Sequence, residues 1–190
     1  MTMNRAVFLD RDGTLIEEVG YLDRLERIAF FPWSIDAVRL LNRARFKVVV
    51  VTNQAGVARG FFDESFVAEA HRHIDERMRA GRAVVDAFYY CPHHPEGRVD
   101  RYRLECGCRK PKTGMVRAAA EALDLDLERS FVIGDRWLDV QMAQAAGSRG
   151  ILVRTGYGRT EVLDPPEGAR ADLVAEHLLE AVGWILRQSS

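Results

Sequence analysis

Cysteine is scarce in this 190-residue chain, and its three cysteines, an odd number with two of them one residue apart, do not form the pattern of a disulfide scaffold. No apolar run reaches the length of a bilayer-spanning helix, and Met1 to Arg5 lacks the pattern of a signal peptide. The net charge of −1 provides no basic field that would attract nucleic acid or an acidic membrane. These absences predict a cytoplasmic protein with no membrane partner and no nucleic-acid partner.

What is present is the composition of an ordinary globular protein, with 47% hydrophobic and 29% charged residues. A length of 190 residues suits one domain, spanning 1–190, that buries a real core. We find no internal repeat and no low-complexity tract. A near-neutral compact domain of this kind is predicted to be a monomer.

The stretch from Arg5 to Thr14 organises the rest of the chain. Its apolar run, Ala6 to Leu9, is short and is followed at once by acidic residues, which predicts a buried strand ending in a loop. Asp10 and Asp12 are two positions apart and would project to the same side if strand geometry persisted. Two crowded carboxylates need a cation or a shared proton. A hard divalent ion such as Mg²⁺, which prefers oxygen ligands, meets that need.

Further apolar runs end near Thr52, Tyr90, Ile133 and Val153, and segments with helical spacing separate most of them. This alternation predicts an α/β fold, a Rossmann-like parallel sheet with helices on both faces. Ligands of such sheets bind beyond the carboxyl ends of the strands. Thr52 therefore offers a hydroxyl at an edge that suits phosphate oxygens.

The segments between the strands carry helix signals. Ser34, Asp63 and Thr113 each precede apolar residues at helical spacing, and they are predicted to cap helices. The segment Leu173 to Leu186 is predicted to be one closing amphipathic helix. His71 borders the apolar stripe of its helix and is interpreted as structural or solvated.

Two pairs of possible metal ligands bracket a charged loop, namely Cys91 with His93, and Cys106 with Cys108. Such pairs, separated by a dozen residues, can close a tetrahedron around zinc. The soft sulfur ligands argue against Mg²⁺ at this place. His94 remains an alternative to His93, and three reduced cysteines in a surface loop remain an alternative to zinc. A structural ion would order the loop 91–108 without performing hydrolysis.

Two further segments are candidates for ligand contact. Arg109 follows the predicted zinc loop, and its planar guanidinium suits a second phosphate or a carboxylate. The connection after the first strand either faces a ligand or forms a packed surface loop; its candidate residues are Glu18, Val19, Gly20 and Tyr21.

Four motifs, in their order, resemble those of the haloacid dehalogenase superfamily of phosphohydrolases: Asp10-Arg11-Asp12-Gly13-Thr14, Thr52, Lys110-Pro111, and Gly134-Asp135 with Asp139. The resemblance implies that Asp10 is a nucleophile that forms an aspartyl-phosphate and that Asp12 shuttles a proton. It implies that Thr52 and Lys110 act on the phosphate, where a lysine relieves the repulsion between aspartate and phosphate. It also implies a Mg²⁺ site made by Asp10, Asp135 and the backbone carbonyl of Asp12.

Nearly the whole chain is similar to the D-glycero-D-manno-heptose 1,7-bisphosphate phosphatases, which are related to histidinol-phosphate phosphatases. The matches are Phe8 to Thr14, Thr52-Asn53-Gln54, the zinc-ligand set and Cys108 to Pro111. The resemblance implies a minimal cap of loops and removal of the C7 phosphate from a phosphorylated sugar. The product would feed heptose synthesis for lipopolysaccharide or another glycan.

The same resemblance implies substrate contacts from Asn53, Gln54, Arg109 and Arg136. Arg136 is a departure, because the heptose enzymes tend to have lysine there, and the change keeps the charge but alters the donor geometry. Two alternatives stay open. One is a histidinol-phosphate phosphatase, and the more distant one is a zinc-stabilised binding module without catalysis.

Overall fold

The computed structural model describes residues 3–188, and its centre is a parallel sheet. The strands are β1 (Ala6–Leu9), β2 (Lys47–Asn53), β3 (Ala87–Cys91), β4 (Phe131–Gly134), β5 (Arg149–Val153) and β6 (Leu173–Ala175). They form one six-stranded sheet in the order β3-β2-β1-β4-β5-β6, and every neighbouring pair is parallel. The predicted α/β class is confirmed.

The helices are α1 (Ser34–Arg43), α2 (Ala55–Arg59), α3 (Glu64–Ala80), α4 (Gly114–Leu123), α5 (Trp137–Ala146), α6 (Gly158–Glu161) and α7 (Leu178–Gln188). Two short 3₁₀ helices, Leu25–Arg27 and Asp100–Tyr102, lie in the loops that follow β1 and β3. Those loops border the site described below, in agreement with a minimal cap. Within residues 3–188, none of the helices has both the length and the apolarity that crossing a membrane requires.

Both faces of the sheet are buried. Val7 and Leu9 of β1 join a core that includes side chains from α1, α3 and α7, whereas Ala6 and Phe8 join a second core with α4 and α5. The alternation follows from the period of two in a strand. A shift of β1 by one residue would exchange the two sets between the faces and bring the charged Arg5 or Asp10 into the buried strand, which would be costly.

Two predicted features of the helices are wrong. Residues 173–175 form the edge strand β6, which pairs with β5, and the closing helix begins only at Leu178. Ser34 is already inside α1, and its hydroxyl donates to the carbonyl of Leu15 (2.7 Å) instead of capping the helix.

The other two predicted caps differ from each other. Asp63 does cap α3, because its carboxylate accepts from the backbone N–H of Phe66 (3.0 Å). Thr113 occupies the N-cap position of α4 but makes no capping bond, and its hydroxyl instead accepts from Nε of Arg117 (3.0 Å).

Candidate active site

The candidate site lies where the three central strands end. β1 lies between β2 and β4, and its last residue, Leu9, is paired with Val50 on one side and Ile133 on the other. Asp10 therefore leaves the sheet between the ends of two neighbouring strands. A cavity of about 350 Å³ opens there, and its lining includes Asp10, Thr52, Lys110 and Asp135.

Three carboxylates meet beside this cavity. Oxygens of Asp10, Asp135 and Asp139 lie within 4.8 Å of one another. Burial raises the pKa of Asp135, and the negative charges of Asp10 and Asp139 raise it further. Oδ2 of Asp135 accepts from the backbone N–H of Tyr157 (2.7 Å), whereas Oδ1 is buried and has no hydrogen-bond partner among the described residues. An unpartnered buried acceptor beside other carboxylates fits a hard divalent cation.

Lys110 neutralises part of this charge. Its buried ammonium group donates to Oδ1 of Asp10 (2.7 Å), Oδ1 of Asp139 (2.6 Å) and the carbonyl of Val51 (3.1 Å). Burial alone would lower the pKa of Lys110, but the two carboxylates raise it overall, so the lysine stays charged. Oδ2 of Asp139 accepts from the backbone N–H of Arg136 (3.3 Å), at the start of α5. Both oxygens of Asp139 are thus held by protein groups, and Asp139 anchors the lysine.

Glycine is required beside Asp135. Gly13 has φ +81°, a conformation that side chains disfavour, and a Cβ built on it would lie 2.2 Å from Oδ2 of Asp135. The hydroxyl of Thr155 donates to the carbonyl of Gly13 (2.5 Å), which ties the loop after β5 to the loop after β1. The glycine of the first motif therefore allows two loops to close around one carboxylate.

The side chain of Asp12 lies apart from the three-carboxylate cluster. Arg11 donates to it through Nε (3.0 Å to Oδ2) and Nη2 (3.1 Å to Oδ1). The amide of Gln54 donates to Oδ2 of Asp12 (3.1 Å) and to the hydroxyl of Thr52 (2.8 Å). Gln54 therefore links Thr52, on β2, to Asp12, in the loop that follows β1.

Asn53 contacts the backbone of Lys110. Its Oδ1 accepts from the N–H of Lys110 (3.0 Å), and its amide donates to the carbonyl of the same residue (3.3 Å). This two-way contact joins the end of β2 to the segment that carries the lysine. Asn53 also lines the cavity.

The cavity lining also carries a cationic group of side chains, namely Arg59, His94, Arg109 and Arg136. Burial lowers the pKa of Arg109, and the positive charges of Arg136 and Arg59 act in the same direction. Burial also lowers the pKa of His94, together with the charges of Arg109 and Arg59. Nε of Arg59 is buried without a hydrogen-bond partner in the described part of the chain. A bound anion would relieve this repulsion.

The loop after β1 contributes unevenly. Glu18, Gly20 and Tyr21 line the cavity, but Val19 is not brought to it: its side chain packs against the core and its carbonyl accepts from Arg27 (2.8 Å). Burial, followed by the charge of Asp12, raises the pKa of Glu18 to about 7. This one loop thus presents a carboxyl group, from Glu18, and an aromatic ring, from Tyr21, to the cavity.

The predicted zinc ligands form one cluster. Cys91, Cys106 and Cys108 have Sγ–Sγ distances of 2.8–3.4 Å, and Nδ1 of His93 lies 3.3 Å from Cys108 and 3.7 Å from Cys91. A tetrahedron with Zn–S bonds of about 2.3 Å has an edge of about 3.8 Å. Four of the five distances lie within about 0.5 Å of that edge, whereas the distance between Cys91 and Cys108 (2.8 Å) is about 1 Å shorter. His94 does not belong to this cluster and lines the cavity instead. The donor set and its spacing fit a structural zinc ion.

The loop that carries the cluster is also attached to α3. The hydroxyls of Tyr90 and Tyr102 both donate to the carboxylate of Glu64, at 2.6 and 2.5 Å. Tyr102 lies inside the loop 91–108, and Tyr90 lies on β3. Arg109 and Lys110 follow this loop directly, so its attachment bears on where the two cations stand.

Several cavity residues were not identified from the sequence. The cavity lining also includes Arg11, Arg59, His94 and Tyr157. The sequence patterns described above do not mark Arg11 or Arg59 as site residues. Arg59 belongs to the run Asn53 to Gly60 that follows β2, and that run was the only local signal for it.

Comparison with known proteins agrees with this geometry. A HAD-hydrolase-like family model matches residues 107–181, and the fold and the carboxylate–lysine site define a haloacid dehalogenase-type hydrolase. The chain is 44% identical over 186 residues to a D-glycero-D-manno-heptose-1,7-bisphosphate 7-phosphatase of Thermosynechococcus vestitus, covering 95% of this chain and 94% of the relative. It is 39% identical over 184 residues to the D-glycero-beta-D-manno-heptose-1,7-bisphosphate 7-phosphatase of Escherichia coli K12, covering 96% and 94%.

A crystal structure of D,D-heptose 1,7-bisphosphate phosphatase from B. bronchiseptica, complexed with magnesium and phosphate, superposes with a TM-score of 0.84 at 34% identity, covering 97% of this chain and 99% of that one. The chain belongs to the D-glycero-D-manno-heptose 1,7-bisphosphate 7-phosphatase family. The family predicted from the motifs is confirmed.

Proposed function

We propose that this chain is a Mg²⁺-dependent phosphatase that removes the C7 phosphate of D-glycero-D-manno-heptose 1,7-bisphosphate. Relatives with that activity in their names align over more than nine-tenths of the chain. The observation that carries the proposal is that one cavity is lined both by the carboxylates with Lys110 and by a group of arginines that repel one another. Such a cavity suits a ligand with two anionic ends, one that reacts and one that is only held.

Asp10, Asp135 and the backbone carbonyl of Asp12 would hold the Mg²⁺ ion. The unpartnered Oδ1 of Asp135 supports this assignment, as described above. The bound ion would supply positive charge that offsets the carboxylates and the phosphate oxygens. Lys110 supplies a fixed positive charge next to Asp10, where a phosphate dianion would otherwise be repelled.

In the first step, a carboxylate oxygen of Asp10 attacks phosphorus and forms an aspartyl-phosphate. The bond between phosphorus and the C7 oxygen breaks, and the electron pair stays on the sugar oxygen. Asp12 gives its proton to that oxygen, because an alkoxide is a poor leaving group. Thr52, Asn53 and Lys110 bind the remaining phosphate oxygens.

In the second step, water attacks the phosphorus of the aspartyl-phosphate. Asp12 takes the proton of the water, so that it ends the cycle protonated as it began. The bond between phosphorus and Asp10 breaks, the carboxylate is restored and phosphate leaves.

The anomeric phosphate is held by the cationic group of the cavity lining. Arg109 and Arg136 are the residues we assign to it, with Arg59 as a third. Arg136 lies exposed at the cavity mouth, with its guanidinium 5.1 Å from the ring centre of Tyr157. Glu18, Gly20, Tyr21 and Gln54 complete the proposed sugar contacts.

The cysteine and histidine cluster is proposed to bind one zinc ion that orders the loop 91–108. Thiolate ligands need a reducing compartment to persist, and this favours the cytoplasm. We further propose that the protein acts as a monomer, which its near-neutral net charge of −1 allows.

The test is phosphate release by the purified protein with and without Mg²⁺. Specificity constants are measured for the heptose 1,7-bisphosphate and for histidinol phosphate. We expect Mg²⁺-dependent release with a strong preference for the bisphosphate, and no turnover by Asp10→Asn once circular dichroism shows it is folded. Turnover by folded Asp10→Asn would overturn the nucleophile, and a preference for histidinol phosphate would overturn the substrate.

A further inference from the structure

Arg11 is unusual among the charged residues because it is buried, with only 1% of its surface exposed. Burying a guanidinium is costly unless its donors find partners. Two of its nitrogens, Nε and Nη2, donate to Asp12. The third, Nη1, lies 3.4 Å from Nε2 of His71 on α3. The guanidinium therefore spans from the first motif to a helix sixty residues away.

His71 is suited to accept from this arginine. A guanidinium can only donate, so the contact requires Nε2 to carry the lone pair and Nδ1 to carry the proton. Burial, and then the charge of Arg11, lower the pKa of His71 to about 3, so the ring is neutral near pH 7. The ring stacks on Phe88 of β3 at 4.9 Å between centroids, and it meets the edge of Tyr90 at 5.8 Å. Its orientation is fixed by aromatic packing.

We infer that Arg11 and His71 are positioning residues that hold the carboxyl group of Asp12 in place for proton transfer. Adjacent residues rarely make a two-point ion pair, since their side chains diverge in a strand. Here the turn after β1, in which the carbonyl of Arg11 accepts from Leu15 and Ile16 (both 3.0 Å), allows Arg11 to reach Asp12. His71 then fixes the far side of the guanidinium. The chain Phe88–His71–Arg11–Asp12 connects the core to the proton-transferring group.

The inference rests on the proposed function, in which Asp12 protonates the leaving oxygen and later deprotonates water. If Arg11 and His71 had only a structural role, their replacement would lower kcat/KM for every substrate by a similar factor. A positioning role predicts that the loss of kcat/KM depends on the leaving group of the substrate. A sugar alkoxide needs a proton to depart, whereas the dinitrophenolate released from a dinitrophenyl phosphate does not.

The variants are His71→Leu, which removes the acceptor, and His71→Gln, whose amide oxygen can still accept from the guanidinium. For each we measure kcat/KM for the heptose bisphosphate and for 2,4-dinitrophenyl phosphate. This constant reports only the steps up to departure of the leaving group. We expect His71→Leu to lose roughly ten- to hundredfold with the bisphosphate and less than about threefold with dinitrophenyl phosphate, as partial loss of acid catalysis predicts. His71→Gln should recover most of the loss.

A second measurement reports on hydrolysis of the aspartyl-phosphate, the step in which Asp12 acts as the base. With His71→Leu and dinitrophenyl phosphate, we expect a burst of dinitrophenolate equal to the enzyme concentration, since aspartyl-phosphate hydrolysis then becomes slow. If His71→Leu does not fold, His71→Asn takes its place, because its shorter side chain does not reach the guanidinium.

Equal losses on both substrates in a folded variant, or no loss on either, would overturn the inference. It would also be overturned if His71→Gln were as impaired as His71→Leu. Failure of the wild-type protein to hydrolyse the bisphosphate would instead overturn the proposed function, so the two failures are distinguishable.

Discussion

The ammonium group of Lys110 lies between Asp139 and Asp10, at 2.6 Å from one carboxylate and 2.7 Å from the other. Because these charged groups are buried, removing one of them would leave the charge of its partners without compensation. Asp10 needs the lysine to meet a phosphate, and the lysine needs Asp139 to remain in place. The catalytic proposal and the stability of the sheet edge are therefore linked.

Lys110→Met removes the central charge while keeping most of the side-chain volume. We expect a loss of stability of about 3–5 kcal/mol, the usual cost of breaking a buried ion pair. We also expect kcat to fall by about a hundred- to a thousandfold, as for loss of a single charge-stabilising donor. Chemical denaturation and phosphate release measure the two effects. The matched control is Lys112→Met, an exposed lysine 4.0 Å from Glu105, which should leave both unchanged. An active, stable Lys110→Met variant would contradict the assignment.

His93→Ala and His94→Ala form a matched pair for the zinc proposal. His93 lies within the cysteine cluster, and His94 next to it lines the cavity. We expect about one zinc per chain in the wild type and in His94→Ala, but little zinc and a lowered Tm in His93→Ala. Metal analysis and thermal unfolding provide the measurements. Full zinc content in His93→Ala would show that the cluster does not bind the ion as proposed.

Arg59→Gln tests the cationic group of the cavity lining. Its charge should matter only when the substrate carries the anomeric phosphate, so KM for the heptose 1,7-bisphosphate should rise by roughly tenfold or more. KM for the heptose 7-monophosphate should stay within about twofold, because that substrate has no group to meet the arginine. The control is Arg103→Gln, an exposed arginine of the loop 91–108 that pairs with Asp100. An equal rise in KM for both substrates would show that Arg59 does not bind the anomeric phosphate.

The buried His71 also predicts a pH dependence of stability. Its pKa is lowered from 6.5 to about 3 in the folded state. Between these two pH values the unfolded chain therefore binds a proton at His71 that the folded chain does not bind. Stability is fully present above pH 6.5 and is lost as the pH falls toward 3. Arg11 and Tyr90 face the ring, and Tyr90, whose pKa is raised to about 12 by burial and Glu64, does not titrate in this range.

Between pH 7 and pH 5 this one group should remove about 2 kcal/mol of the free energy of unfolding. His71→Gln cannot titrate, so the difference between wild type and variant should shrink or change sign by that amount as the pH falls. Urea denaturation at the two pH values measures it. A pH-independent difference would mean that His71 titrates normally in the folded protein.

The features that the sequence predicts well depend on short stretches of chain. The run Ala6 to Leu9 is apolar throughout and stops at Asp10, so both its strand and its exit are local properties. The zinc-ligand set is local in the same sense, since Cys106 and Cys108 are two residues apart. The choice between His93 and His94 as the fourth ligand is not a local property, because either side chain could turn toward the sulfur atoms.

The errors have a common physical cause. Leu173 to Ala175 is apolar and fits the start of a helix as well as a short strand, and only the free edge of β5 decided for the strand. The hydroxyl of Ser34 could have capped its own helix, but the carbonyl of Leu15 was within reach.

By itself, the sequence determined the order of the strands along the chain, the acidic and basic residues at their ends and the family to which those motifs belong. Only the tertiary structure decided that Gln54 touches Asp12 and that Arg11 touches His71. Hydrophobic periodicity repeats every two or four residues and can be read locally. The partner of a buried charge is chosen by packing between distant segments, and no local pattern encodes it.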